Sequence, residues 1–367
     1  MKVLHIELGK RRFGGTMQVY YLLRELRKIN DVECALVCPM DSPLHRLAAQ
    51  EGVLVFPIRY RGDTDVTAVA KLWRIYRRFA PDIVHIHSRR GADVWGALTA
   101  RLYRHTKVII SRRVDNPIKR SGLTRLLYGP LSDRIIAVSK GIVEVLVQGG
   151  VERAKIAQVY SAIVARDYQV TADAAALRAQ WHIPSAAPVV AVIAQLIPRK
   201  GHRYLLLAAP EILAAHPATV FLFLGEGVAR ADLEAQATAL GISHRVVFAG
   251  YRHDVGALLN IIDIVVHPAT MEGFANVAMQ AMAAAVPVVS SAVGGMPESV
   301  RHEINGLLVP PADPPALAAA INRLLADATL RHRLGEQGRR IVESEFTVEA
   351  MAAGNLAVYR ALLSPHK

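Results

Sequence analysis

Short apolar runs alternate along this chain with longer stretches in which apolar positions recur every third or fourth residue. Val3–Ile6, Cys34–Val37, Ile83–Ile86, Val108–Ile110 and Ile135–Val138 read as buried strands, and Met17–Lys28 and Val66–Phe79 as amphipathic helices between them. The scheme then repeats: Val189–Ala194, Val220–Leu224, Val246–Phe248, Ile264–Val266 and Val286–Val289 are the strands of a second set. Alternation of this kind predicts a parallel sheet with helices on both faces, here twice over. No strand pattern falls in Asp167–Pro188, so the join is placed near residue 185. After Pro314 the pattern is helical to the end, with Thr347 as the expected cap of a last helix, Val348–Leu363. The predicted units are therefore 1–185, 186–345 and a terminal helix within 346–367.

One helix breaks the amphipathic rule. Phe274–Ala285 is apolar almost all round and should be internal. Two amides interrupt it, Asn276 and Gln280, four apart and so on one face. A buried amide without a partner costs about 1–3 kcal/mol. A polar group of the protein or of a ligand should meet them.

Bulk properties narrow the class. At 367 residues, two domains are expected. No apolar run is long enough to cross a membrane. Glu7 and Lys10 interrupt the apolar start, which reads as a strand and not a signal peptide. Cys34 and Cys38 read as buried, reduced thiols, which points to a cytoplasmic protein. The charge is one-sided: residues 1–180 hold 30 Lys and Arg against 16 Asp and Glu, a net +14, and residues 181–367 hold 14 against 15, a net −1. The cations cluster at Lys10–Arg12, Arg74 with Arg77 and Arg78, Arg89–Arg90, Arg112–Arg113 and Lys119–Arg120. Such a face suits nucleic acid, anionic lipid or a phosphorylated glycan, unless it is only solvated. No nucleic-acid-binding signature accompanies the arginines, which leaves the other two partners.

Several turns carry candidate chemistry. The first strand leads into Gly9, then Gly14 and Gly15 at a helix start, where backbone can approach a phosphate or sugar. The spacing is not that of a dinucleotide fingerprint. Arg199 and Lys200 follow a strand and suit a diphosphate. Gly225 and Glu226 form a third strand-to-helix turn. Asp63-Thr64-Asp65 could hold a metal, but ahead of the helix Val66–Phe79 these acids read as caps, and no metal is expected.

The order Pro268-x3-Glu272-Gly273-Phe274, Gln280 eight residues after Glu272, Pro287-Val288-Val289 and Gly294-Gly295-Met296-Pro297-Glu298 resembles the donor-binding segment of retaining nucleotide-sugar glycosyltransferases of family 4. That resemblance extends over most of the chain. It implies the GT-B fold: two doubly wound Rossmann-like domains facing across a cleft, with the terminal helix crossing back to the first. It implies a nucleotide diphosphate sugar as donor substrate, no cofactor, and a glycan or glycolipid acceptor of the bacterial envelope. The basic first half favours an anionic acceptor and contact with the inner face of the cytoplasmic membrane, through the basic apolar stretch Arg113–Leu131.

By the same resemblance Glu272 orients the donor sugar, and Lys200 with Arg199 stabilises the leaving diphosphate. The loop Gly273, Phe274, Ala275 and Asn276 faces the sugar and phosphate, and Gln280 the ribose. Gly14 and Gly15 lie over the diphosphate, Gln195, Gly225 and Glu226 near the nucleotide, and Tyr251 and Arg252 near the base. His85, His87, Arg112 and Arg113 form the acceptor side. Three positions depart from the family pattern: Gln195 stands for an arginine, Gln280 for a glutamate, and Arg112 for a histidine. They leave open a nucleotide-sugar binding protein with weak catalysis, and a nucleotide-sugar 2-epimerase shares the fold.

Overall fold

The computed structural model describes residues 1–9, 14–88, 91–103, 106–118 and 121–364. Of the basic clusters, Lys10–Arg12, Arg89–Arg90 and Lys119–Arg120 lie outside the described residues. The chain divides into two compact units, Met1–Ala162 with Val348–Lys367, and Ile163–Thr347.

In the first unit β1 (Lys2–Ile6), β2 (Glu33–Pro39), β3 (Leu54–Ile58), β4 (Ile83–Ile86), β5 (Lys107–Arg112), β6 (Arg134–Ala137) and β7 (Ile156–Gln158) form one sheet in the order β3-β2-β1-β4-β5-β6-β7. In the second, β8 (Val189–Ile193), β9 (Val220–Leu224), β10 (Val246–Gly250), β11 (Ile264–His267), β12 (Val288–Ser291) and β13 (Gly306–Val309) run β10-β9-β8-β11-β12-β13. Every pairing is parallel. Central strands are buried on both faces, which is why they read as unbroken apolar runs. The second core gathers Val190, Phe221, Phe223 and Ile264 under the helices His202–Ala215 and Pro314–Ala326.

Three strands escape the sequence reading: β3, β7 and β13. All are sheet edges. An edge strand needs no continuous apolar run, and β3 contains Pro57 and leaves Leu54 46% exposed.

The join also differs from the expected position near 185. Residues 163–187 pack on the second unit. Ile163 donates to the Phe346 carbonyl at 3.1 Å, and the two crossing segments pair at Ile163 and Thr347. Further along, Asn260 Nδ2 holds the Val170 carbonyl at 2.8 Å, and Arg178 Nη1 ties Pro184 and Ala187 at 2.9 and 2.8 Å. Side-chain clamps, not a strand, attach this segment, so periodicity gives no sign of them.

Cys34 and Cys38 lie on β2, and burial raises their thiols to about 12 and about 11, which makes them inert. Asp65 is not the expected cap. The helix Thr67–Phe79 has Val66 as its N-cap residue with no side-chain cap bond, and Asp65 instead accepts from Thr67, the Arg61 N–H and Lys71. Those bonds, led by Thr67, hold its carboxyl down to about 2.

The helix Val348–Leu363 belongs to the first unit. Its Tyr359 is fully buried, and the hydroxyl meets His85 Nδ1 at 2.6 Å. Removing that hydroxyl leaves a buried ring nitrogen unpaired. Tyr359→Phe is therefore expected to lower stability by about 1–3 kcal/mol in denaturant unfolding, while an unchanged midpoint would show that this bond does not anchor the helix.

Candidate active site

The order of the second sheet reverses between β8 and β11. In doubly wound sheets the loops beyond that point form the ligand site. The loop after β8 makes a tight turn, Pro198–Lys200, and enters the helix at Gly201. A side chain at Gly201 would place its Cβ 1.8 Å from the Pro268 carbonyl oxygen, so only glycine lets the two loops touch. They do: the Thr270 N–H donates to the Arg199 carbonyl at 2.9 Å, and Arg199 Nη1 to the Met271 carbonyl at 3.3 Å.

These contacts bring Glu272 to Lys200. The two form an ion pair through Oε2, which also accepts from His267 Nε2 at 3.0 Å. Glu272 is only 8% exposed. Burial alone would raise its pKa, but His267 and Lys200 outweigh burial and hold the carboxyl well below its ordinary value. His267 is lowered, chiefly by burial, so it is neutral and donates a proton from Nε2. The site therefore presents a fixed carboxylate beside a cation, with the Glu272 carbonyl tied to the Gly295 N–H at 3.1 Å.

His267 was not singled out by sequence. It ends β11 five residues before Glu272, and a histidine at a strand end next to an acid was the available signal.

Other expected donor residues sit around this pair. Gly225 turns so close to the neighbouring loop that a Cβ would lie 1.9 Å from the Ala194 carbonyl oxygen, and the Leu196 N–H bonds the Glu226 carbonyl at 2.9 Å. Gln195 and Glu226 are exposed. Gly273, Phe274 and Ala275 are buried, and Phe274 packs on Phe346 at 5.6 Å between ring centres. The helix starts later than expected, at Asn276, and ends at Ala283. Asn276 is thus the first residue of the helix and not in its interior. Gln280 donates through Nε2 to the Tyr168 hydroxyl at 2.8 Å, so one polar partner predicted for the amide pair is protein. Arg252 pairs with Asp254 at 2.8 and 2.6 Å and lies over Trp181, while Tyr251 stays 46% exposed beside His253. The Arg252 guanidinium is thus committed to its own loop.

In the first unit Gly14 and Gly15 open the helix Gly14–Leu26. β1 and β4 align His5 with His85, and His87 follows just beyond β4. All three histidines are buried. Arg113 Nη2 lies 3.3 Å from His87 Nδ1, and His87 Nε2 lies 2.9 Å from His5 Nδ1. A guanidinium only donates, so His87 Nδ1 accepts, His87 carries its proton on Nε2, and His5 Nδ1 accepts in turn. His5 then bears its proton on Nε2. The three rings have ligand atoms within 4.8 Å of one another. A metal bound through His87 Nε2 would need a proton on Nδ1, which Arg113 opposes, and the cluster is better described as a hydrogen-bonded chain. His85 is held at both nitrogens, by Tyr359 and by Ser111 Oγ at 2.8 Å, and is structural.

Arg112 corrects an expectation. It is 2% exposed, and its guanidinium donates to the Val114 carbonyl at 2.9 Å, the Asn116 carbonyl at 2.7 Å and the Tyr128 hydroxyl at 3.4 Å. It fastens the turn after β5 and faces no acceptor. The neighbouring Arg113 points to the other side of the chain.

Two parallel sheets of these orders, each with its strand reversal, define the GT-B class. HepE from Anabaena in complex with UDP superposes with a TM-score of 0.85, at 22% identity, over 99% of this chain and 100% of that one. Family models match in tandem, Glycosyltransferase Family 4 over residues 14–166 and Glycosyl transferases group 1 over residues 173–341. The chain belongs to the family 4, group 1 glycosyltransferases, enzymes that use a nucleotide-sugar donor. The lipopolysaccharide core biosynthesis glycosyltransferases LpsE and LpsD of Rhizobium meliloti are 29% and 26% identical to it. LpsE aligns over 96% of both chains, and LpsD over 98% of both. Among the described residues, no helix is long and apolar enough to cross a membrane.

The buried histidines set a pH dependence. Burial lowers His5 and His202 to about 3, far below the ordinary value near 6.5. The unfolded chain therefore binds more protons than the folded one between these values. Stability is full above pH 6.5 and is lost as pH falls toward 3. The thermal midpoint should drop between pH 7 and pH 5, and a flat profile over that range would contradict the neutral assignment.

Proposed function

We propose that the chain is a retaining, metal-independent transferase that moves a sugar from a nucleotide diphosphate sugar to a hydroxyl of an anionic envelope glycan or glycolipid, of the lipopolysaccharide-precursor type. The observation that carries this reading is the Glu272 carboxylate, fixed between Lys200 and His267 where the second sheet reverses. A carboxylate so placed accepts sugar hydroxyls and sets the orientation of the ring. Lys200, joined by Arg199, neutralises charge as the diphosphate leaves, and the backbone N–H groups of Gly273–Asn276 add to it at the helix start. In the reaction the bond from the anomeric carbon to the diphosphate oxygen breaks. The acceptor oxygen bonds that carbon on the same face, and the acceptor proton passes to the departing phosphate oxygen. No protein nucleophile takes part. Gln280, held by Tyr168, meets the ribose as a neutral amide and binds it more weakly than a carboxylate would.

The names of LpsE and LpsD support the acceptor class. The net charge of +14 over residues 1–180 favours an anionic one. The helix Gly122–Tyr128 adds a membrane contact: Leu123 and Leu126 are 55% and 45% exposed beside exposed Arg125.

Turnover of UDP, GDP and ADP sugars with a lipopolysaccharide-precursor extract tests this. One donor class should be consumed only when acceptor is present, and transfer to an acceptor in anionic vesicles should fall as salt is added. Glu272→Gln should lower kcat by about 100-fold or more, in the range found for lost transition-state contacts. Donor consumption without acceptor, or a Glu272→Gln enzyme within about twofold of the wild type, would refute the assignment.

A further inference from the structure

The helix Asn276–Ala283 is covered along most of its surface. Ala278, Met279, Ala281, Met282 and Ala283 are buried, while Asn276 and Gln280, four apart, share a face that stays partly open. The donor reading puts a diphosphate at the start of this helix. Gln280 lies about 6 Å further along the axis, and a helical side chain leans back toward the N-terminus. The pentose that carries the diphosphate therefore falls beside the Gln280 amide.

What that amide offers is restricted. Its Nε2 donates to the Tyr168 hydroxyl at 2.8 Å, and among the described residues no donor reaches its Oε1. Tyr168 closes the short turn Ala165–Tyr168, which is itself pinned against the helix Val255–Leu258. A side chain at Gly256 would place its Cβ 2.6 Å from the Asp167 carbonyl oxygen and 3.5 Å from the Tyr168 Cα. The tyrosine is thus a fixed anchor, and the amide plane cannot turn without breaking its bond. One neutral acceptor, Oε1, is left for the pentose. A carboxylate there would present two charged oxygens, one for each hydroxyl of a ribose. Loss of a hydroxyl bonded to a charged group weakens binding by about 10- to 100-fold, and of one bonded to a neutral amide by about 2- to 10-fold. A single neutral acceptor is also satisfied by the 3′-hydroxyl, which ribose and 2′-deoxyribose share.

We infer that the Tyr168–Gln280 pair sets the pentose specificity of the donor site. It relaxes the demand for a 2′-hydroxyl, so that 2′-deoxyribonucleoside diphosphate sugars are admitted as donors beside the ribonucleotide ones. Gln280 is the specificity-determining group, and Tyr168, which acts through it, is a positioning residue. The inference rests on the donor reading of the site around Glu272 and adds to it the class of nucleotide.

The test is calorimetric titration of the full chain with UDP, GDP and ADP, each beside its 2′-deoxy counterpart. For the base that binds best, the deoxy form should bind within about tenfold of the ribo form. Gln280→Glu supplies two charged oxygens and should widen that gap by about tenfold or more, chiefly by tightening the ribo form. Tyr168→Phe frees the amino group for a second hydroxyl and should widen the gap less, by about two- to threefold. A tyrosine that only supports the fold would, when replaced, weaken both forms alike. Thermal unfolding without nucleotide checks that each variant folds, and the phenylalanine variant serves if the glutamate one does not. A wild-type gap well above tenfold, or a gap unchanged in both variants, would overturn the inference and leave the donor reading standing. Failure of every diphosphate to bind the wild type would overturn both.

Discussion

The second unit depends on how a carboxylate is kept ionised inside a protein. Taking Glu272 out of water disfavours its charge, and only a nearby cation and a hydrogen-bond donor can restore it. Lys200, in the loop after β8, and His267, at the end of β11, do so from strands that are neighbours in the sheet but far apart in sequence. The fold supplies that adjacency at the reversal of strand order. Gly201 lets the loops close to contact, and the Arg199–Met271 and Thr270–Arg199 bonds hold them. Catalytic power in such a site comes from groups already oriented before the sugar arrives.

The first unit solves a related problem in another way. Its buried histidines are neutral, and direction comes from tautomers fixed by a single guanidinium. His85 joins the terminal helix to β4 through Tyr359, while His5 and His87 extend the chain that begins at Arg113. The contrast between adjacent arginines shows how a strand separates roles: Arg112 is a fastener and Arg113 faces a pocket.

Much of this was legible in the sequence, for physical reasons that also explain what was not. Central parallel strands must be apolar on both faces, so all nine of them could be read directly, as could the edge strand β10, and Glu272 stood out as an acid in an apolar segment. Three of the four edge strands, β3, β7 and β13, carry no such signature. The segment that follows the join at Ile163 is held by side-chain clamps from Asn260 and Arg178, which no period reveals. Motif position placed Arg112 on the acceptor side, but the turn after β5 captures its guanidinium, while that of Arg113 meets His87. Gln280 was expected to need a polar partner. That it would be Tyr168, more than a hundred residues earlier, could not be read from spacing.

The central claim is that the Lys200–Glu272 pair forms the donor diphosphate end of the site. Calorimetric titration of the wild type and Lys200→Met with UDP tests it most directly, beside UMP as the ligand lacking the second phosphate. The account predicts that the variant weakens UDP binding by about tenfold or more, the effect of losing one charge-assisted contact, and changes UMP binding much less. Equal weakening for both nucleotides, or no change for UDP, would contradict it.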